Sequence, residues 1–171
     1  LEELDKAWAN AVADESFVDQ REVLLSRGLA YLAMKSMGEA QDVAARLKAA
    51  IEKAPNKKLF WYYHYLMGMT ELEKKDYSKA VELFKIGLPL LDADAAEHLL
   101  FADALGAAFY QSGDLNSARQ EYEKIISLGT GGLDYGDVYA KAYYQFGKIS
   151  EQQGKKVEAA EHYRKFLSLW K

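Results

Sequence analysis

Residues 105–128 read LGAAFYQSGDLNSARQEYEKIISL, and their spacing of apolar residues indicates how the chain is organised. Apolar residues recur at spacings of three and four on both sides of an interruption at Gly113 and Asp114, a pattern typical of amphipathic helices. Glycine readily adopts the left-handed conformation that ends a helix, and an aspartate side chain accepts from the free N–H groups of the next helix. The stretch therefore predicts a helix, a tight turn and a second helix.

The same arrangement recurs along the chain. Four glycines are separated by 40, 38 and 41 residues, an alanine follows each of them at an offset of twelve, and a large ring follows three of them at an offset of sixteen. These residues are Gly28, Gly68, Gly106 and Gly147, then Ala40, Ala80, Ala118 and Ala159, then Phe84, Tyr122 and Tyr163. Self-similarity of this kind indicates an array of four units, each a pair of helices.

Further helix start signals divide the rest of the chain. Asp76 and Asn56 are candidate N-caps, and Asp94 with Glu97 three residues later has the spacing of a capping box. We predict no strand, and we expect the glycine-rich connection at 129–137 to be a mobile loop. The predicted helices span 2–13, 16–36, 39–54, 57–74, 77–91, 94–112, 115–128, 136–153 and 156–170.

Composition restricts the classes of function. Half of the 171 residues are apolar and only two are proline, which favours helix. The net charge of −4 leaves no basic footprint, so nucleic acid and anionic lipid are not expected as partners. No apolar run approaches the roughly 20 residues that span a bilayer, so direct membrane insertion is not expected either. The compartment is left open, with the cytoplasm favoured.

The sequence offers no constellation for catalysis or for metal binding. There is no cysteine to act as a nucleophile or zinc ligand, and His64, His98 and His162 lie in three different units at no short metal-ligand spacing. The glycine-rich segment 129–137 lacks the lysine and hydroxyl pair of a phosphate-binding loop. We therefore expect a protein that is not an enzyme and that needs no cofactor and no metal.

Three stretches, at 67–88, 105–128 and 146–169, resemble tetratricopeptide repeats. Their small residue in the first helix, alanine in the second helix and later ring fall at the offsets of that family. The resemblance implies an all-α fold, a right-handed superhelical array of antiparallel helix pairs called a TPR-like α-solenoid. It also implies that 1–171 is a single domain, with repeats at approximately 21–54, 61–91, 99–129 and 140–171 and an extra helix at 1–13.

The chain departs from the family pattern in three respects. The units exceed the usual 34 residues, the proline that commonly closes a unit is missing, and in the degenerate first unit Gly38 replaces the usual turn. More loosely, the chain resembles repeat modules of bacterial signalling and regulatory proteins. Because it begins at Leu1, we expect it to be part of a larger bacterial protein.

The resemblance further implies a concave groove lined by the first helix of each unit. Groove positions lie six and three residues before the repeat glycine and one and four residues after it. From these positions we take nine residues as the candidate partner-binding groove: Tyr62, Tyr65, Met69, Leu100, Asp103, Tyr110, Lys141, Tyr144 and Lys148. Tyrosine suits such a groove because its ring is large and rigid and carries a hydroxyl. By contrast, Trp61 and Tyr63 are expected in the core.

Related repeats that hold chaperone tails use lysine and asparagine in the first unit, where this chain has Leu25 and Leu29. That clamp is therefore not expected. Two hypotheses remain. In the first, the chain is an interaction module that binds a peptide or helix of a partner protein, and the groove tyrosines are exposed. In the second, it is a structural or oligomerisation segment, with a possible homodimer, and the same tyrosines are buried by its own helix or by another copy. Residues 2–13 either cap the array or complete an earlier repeat.

Overall fold

The computed structural model describes residues 1–13, 16–127 and 135–170, and these ranges are helical without any strand. The helices are α1 Glu2–Ala13, α2 Phe17–Ala33, α3 Met37–Glu52, α4 Phe60–Glu73, α5 Tyr77–Gly87, α6 His98–Ser112, α7 Leu115–Ser127, α8 Gly136–Gln152 and α9 Lys156–Leu169. Short 3-10 helices at Lys57–Leu59 and Leu88–Leu90 precede α4 and follow α5. The all-α prediction is confirmed. The predicted mobile loop falls mostly on residues 128–134, outside the described residues.

The helices divide into two compact structural units, each larger than a single predicted repeat. The first unit is Leu1–Leu91 and the second unit is Asp92–Lys171. In the first unit α2 pairs with α3 and α4 with α5, while in the second α6 pairs with α7 and α8 with α9. Each pair corresponds to one predicted repeat. That the whole of 1–171 acts as a single domain stays a prediction.

Helix α1 packs on the first helix pair. The Arg27 guanidinium on α2 donates to the Leu4 carbonyl at 3.1 Å and to the Asp5 carboxylate at 2.6 Å. The Arg46 guanidinium on α3 lies over the Trp8 ring at 5.0 Å from its centroid. Helix α1 thus contacts both members of the following pair. In the same way α7 contacts α8, and it contacts α9 through the ion pair of Arg119 and Glu158 at 2.6 Å. These contacts fit both predictions for residues 2–13, a cap of the array and the second helix of an earlier repeat.

The turns within the four pairs share one backbone geometry. A single residue in each turn has positive φ, and these residues are Lys35 at 61°, Lys75 at 64°, Gly113 at 88° and Gly154 at 75°. Around Lys75 the Asp76 N–H donates back to the Glu71 carbonyl at 3.0 Å, which satisfies a carbonyl at the end of α4. The first turn therefore falls at Lys35, and the expectation that Gly38 forms it is wrong, because Gly38 lies inside α3.

Most predicted caps are present. Asp76 accepts from the Lys79 N–H at 3.2 Å, Asp114 from the Ser117 N–H at 3.0 Å, and Asn56 from the Lys58 N–H at 3.0 Å; all three act as N-caps. The predicted start at Asp94 is wrong. Helix α6 begins at His98, because residues 92–97 form turns instead. In these turns the Asp92 carbonyl accepts from the Ala95 N–H at 3.0 Å and lies 2.9 Å from Nε2 of the His98 ring.

Close helix approach at glycine builds the core of three pairs. A Cβ added to Gly106 would lie 2.8 Å from Cζ of Tyr122, and one added to Gly68 or Gly147 would overlap the ring sixteen residues later. The ring therefore covers the glycine of its own pair. In the first pair the ring position holds Ala44, which is too small for this role, and Gly28 is covered by Leu66 of α4 instead.

Replacing Gly106 by alanine tests the close approach. The added methyl group overlaps a ring that is fully buried, so we expect Gly106→Ala to lower the free energy of unfolding by about 1–3 kcal/mol. Gly38→Ala is the matched control, because a Cβ there has no neighbour within 4 Å and alanine gains about 0.5–1 kcal/mol of helix propensity. Gly38 lies in the first turn of α3, so its gain in propensity is no larger than the gain at Gly106 in the middle of α6. A loss of stability in Gly106→Ala, measured by urea unfolding, therefore reports the overlap. Equal free energies of unfolding for the two variants would show that the methyl group at Gly106 does not overlap its neighbours.

The two turn lysines offer a second test. A side chain at positive φ is strained by roughly 1 kcal/mol, so Lys75→Gly is expected to raise the free energy of unfolding by about 0.5–1 kcal/mol. Lys53→Gly is the control, since Lys53 ends α3 with a φ of −78°, where glycine relieves no strain and costs unfolded-state entropy. Thermal unfolding should therefore move in opposite directions for the two variants. A lower free energy of unfolding for Lys75→Gly than for the parent would show that the backbone at Lys75 is not strained.

Candidate partner-binding surface

Six of the nine predicted groove residues lie in the second unit, on α6 and α8. Asp103 of α6 is close enough to Lys141 of α8 for the lysine to influence its pKa, and Tyr110 lies beside Lys148. A residue earlier in α6 lies beside one earlier in α8, and a residue later in α6 lies beside one later in α8. The two helices therefore run side by side in the same direction. We call the six residues the α6–α8 surface: Leu100, Asp103, Tyr110, Lys141, Tyr144 and Lys148.

Asp103 is a half-buried carboxylate without a bonded partner. Burial raises the pKa of Asp103 to about 6; the nearby Lys141 lowers it, and Asp137 raises it further. Lys141 itself donates to Asp137 at 2.9 Å. Within the part of the chain that the structure describes, the Asp103 carboxylate accepts no hydrogen bond and forms no ion pair. A desolvated acceptor of this kind costs stability.

Lys148 is the second charged group without an ion pair among the described residues. Its ammonium lies 4.6 Å from the centroid of the Tyr110 ring and 5.7 Å from that of Tyr144, which gives it a cation–π contact but no anion. The Tyr110 hydroxyl accepts from the Gln152 amide at 2.6 Å. Its own proton therefore remains available, so an ammonium and a hydroxyl donor stand together at this end of the surface.

Tyr144 supplies the exposed ring of the α6–α8 surface. Its side chain is 41% exposed, and its ring rests against Tyr163 at 5.8 Å and Phe166 at 5.4 Å, both on α9. Burial, together with the hydrogen bond that its hydroxyl donates to Glu151, raises the pKa of Tyr163 to about 12. The rings of α9 thus pack against Tyr144, whose side chain remains partly open to solvent.

Beneath the surface lies a group that the sequence interpretation assigned to structure alone. Tyr122 is fully buried under Gly106, and its hydroxyl has no hydrogen-bond partner in the described residues. Burial, with smaller contributions from Asp103 and Tyr110, raises the pKa of Tyr122 well above its usual range. The repeat offset predicted a ring here. Only the hydroxyl, which the equivalent Phe84 lacks, signals a polar role.

The three predicted residues of the first unit are placed differently. Tyr62 and Tyr65 are only 8% and 7% exposed, and Met69 is half-buried. The Tyr62 ring meets the Arg21 guanidinium of α2 at 5.7 Å, and the Tyr65 ring meets Phe84 of α5 at 5.9 Å. The interaction hypothesis expected these two tyrosines to be exposed, and that expectation is wrong, because helices of their own unit cover them.

The neighbouring rings of α4 are partly enclosed. Trp61 and Tyr63, predicted to be structural rather than to contact a ligand, are half-buried. His64 is half-buried as well, with its ring against Phe60 and Tyr63, and burial lowers its pKa. Half of the residues of α4 are buried, among them Leu66, Gly68 and Thr70. The run of rings at 59–68 is therefore packing rather than an open surface.

Comparison with known proteins agrees with the observed architecture. Residues 140–169 match the family model described as tetratricopeptide repeat. A solved structure titled "Crystal structure of MamA" is 19% identical, covers 97% of this chain and 85% of that chain, and has a TM-score of 0.61. No curated protein sequence matches the chain. These findings support the tetratricopeptide repeat family, and the predicted fold class is confirmed.

The repeat and the fold support a protein-interaction module in general, of a kind that is typically a non-enzymatic scaffold. Protein partners are accordingly the supported class. None of the described helices is long and apolar enough to cross a bilayer. Residues 1–13, 16–127 and 135–170 contain no cluster of three acidic or histidine side chains arranged to hold a metal ion.

The raised pKa of Asp103 makes a prediction about stability and pH. A carboxyl whose folded pKa lies above its unfolded value of 3.8 stabilises the fold below that value, and this stabilisation is lost as the pH rises through about 6. Asp103→Asn should therefore be more stable than the parent at neutral pH, by about 1–2 kcal/mol after solvent screening of a half-buried group. The two proteins should converge near pH 4.

Urea unfolding across the range from about pH 4 to pH 8 measures this difference. Asp42→Asn on the exposed surface of α3 is the control, and it should leave stability unchanged at every pH. An Asp103→Asn variant that is less stable than the parent at neutral pH would show that the carboxylate is paired in solution.

Proposed function

We propose that the chain is a protein-interaction module that binds a peptide or helix of a partner protein on the α6–α8 surface. The observation that carries this proposal is that Asp103 and Lys148, on adjacent helices of one unit, form no ion pair among the described residues. Folded chains usually pair or solvate such groups. Two unpaired charges around an exposed ring are understandable if a ligand provides their partners.

The contrast with the first unit supports the proposal. At the same repeat positions Tyr62 and Tyr65 are covered by helices of their own unit, whereas Tyr144 stays open. Tyrosine is one of the residue types that most often carry the binding energy of an interface. The net charge of −4 supports a protein partner over nucleic acid.

A second candidate function is self-association, favoured by one observation. At the end of α9, Leu167 is 67% exposed and Trp170 is 51% exposed. Apolar side chains at the end of a repeat array are commonly covered by a further helix or another copy. In that case the chain is a structural or oligomerisation segment, and the ligand is a second copy of itself.

Selection from a phage-displayed library of random peptides tests the interaction proposal. Peptides that bind the parent are mapped by amide chemical shifts, and the perturbed residues are expected on α6 and α8. Lys148→Ala should weaken binding about tenfold through loss of a charge-assisted contact. Lys156→Ala, an exposed lysine at the start of α9, is the matched control and should change nothing. Peptides that perturb other helices and ignore Lys148→Ala would overturn the proposal.

The oligomeric state separates the two candidates. Light scattering over a hundredfold range of protein concentration should give a monomer near 19.3 kDa if the α6–α8 surface serves an external partner. Trp170→Ala should leave that mass unchanged. A dimer that Trp170→Ala dissociates would move the assignment to self-association.

A further inference from the structure

We infer that the partner segment is dipolar: it places a basic side chain at Asp103 and a carboxylate at Lys148 and Tyr110, with the two groups about 10 Å apart. This inference rests on the proposed function and adds the chemistry of the partner to it. The α6–α8 surface carries a negative group at one end and a positive group at the other, so a ligand with one charge complements only half of it.

The Asp103 end suits a cation from the partner. Lys141 is the nearest cation, but its ammonium bonds Asp137 at 2.9 Å and lies 5.8 Å from the centroid of the Trp170 ring. It therefore leaves the Asp103 carboxylate unbonded. An arginine or lysine side chain of a ligand would supply the missing donors, and it would offset the cost of keeping a carboxylate half-buried.

The Lys148 end suits an anion from the partner. Glu151, the nearest carboxylate along α8, accepts from the Tyr163 hydroxyl at 2.9 Å. The Lys148 ammonium is held against the faces of Tyr110 and Tyr144, and the Gln152 amide orients the Tyr110 hydroxyl so that its proton is free. A carboxylate placed here accepts from both the ammonium and the hydroxyl, which is a strong, charge-assisted arrangement.

The buried Tyr122 hydroxyl marks the floor between the two ends. It lies under Gly106, near both Asp103 and Tyr110, and it has no partner in the described chain. The two ends are seven positions apart on α6, which at 1.5 Å per residue gives the separation of about 10 Å. In an extended peptide this distance corresponds to about three residues. Tyr144, between Lys141 and Lys148 along α8, would meet an apolar side chain of the intervening segment.

The probes are four acetylated and amidated hexapeptides built on the sequence Gly-Arg-Ala-Leu-Glu-Gly. One carries both charges, two have glutamine in place of either the arginine or the glutamate, and one has glutamine at both positions. Each is titrated into the ¹⁵N-labelled parent near neutral pH, and amide shifts of α6 and α8 report the affinity. We expect the doubly charged peptide to bind about tenfold more tightly than the neutral one.

Variants of the protein assign each charge to its end. Lys148→Gln should abolish the preference for glutamate while keeping that for arginine, and Asp103→Asn should do the reverse. Lys156→Gln is the control and should keep both preferences. A merely structural role for either residue would weaken all four peptides equally.

The outcomes separate this inference from the proposed function. If the four peptides bind alike, or if none of them shifts α6 and α8 at millimolar concentration, the dipolar inference is overturned. The proposed function still stands in that case, provided that library-selected peptides perturb those helices. If the selected peptides also leave α6 and α8 unperturbed, both the inference and the proposed function fail.

Discussion

In three of the four helix pairs, the glycine of the first helix contacts the ring of its partner helix, and this contact sets how closely the two helices approach. Gly106 has no side chain, so α6 and α7 approach until the Tyr122 ring lies directly on the backbone. The neighbours of Gly106 on the same face of α6 are then fixed in position. Asp103 and Tyr110, three residues before the glycine and four after it, share that face and turn it toward α8.

The two units use the same packing pattern with opposite results at the surface. In the first unit the groove positions hold rings that contact the chain's own Arg21 and Phe84, so the helices satisfy one another. In the second unit the corresponding positions hold Asp103, Lys141 and Lys148, and two of these charges find no ion pair among the described residues. Functional sites are commonly the places where side chains that are satisfied by one another elsewhere in the protein are left unsatisfied.

The elements that sequence reasoning predicted well are those with local causes. Helix bounds follow from apolar spacing over about fifteen residues, and the caps at Asp76 and Asp114 follow from side chains acting within one turn. Gly38 and Asp94 misled for the same reason, because each carries a genuine local signal that the surrounding backbone does not use. At the first turn Lys35 takes the left-handed conformation that glycine takes elsewhere.

The candidate site was predictable in its members but not in their exposure. Repeat offsets selected all six residues of the α6–α8 surface, since position on a helix is a local property. Whether a side chain there is covered depends on the neighbouring helix, and no offset reports that Arg21 reaches the Tyr62 ring. The unpartnered hydroxyl of Tyr122 was missed on the same grounds, because a repeat position defines a ring and says nothing about its polar atom.

The pairing of each helix with its neighbours in the chain has a consequence for how the protein folds. Within each unit every contact between paired helices closes a short loop, so little chain entropy is lost before favourable packing begins. Chains whose contacts are mostly local in sequence have low contact order and typically fold in microseconds to milliseconds. Nucleation can begin at any helix pair and spread to its neighbour. The glycine and ring pairs are natural starting points, because each forms from residues only sixteen positions apart.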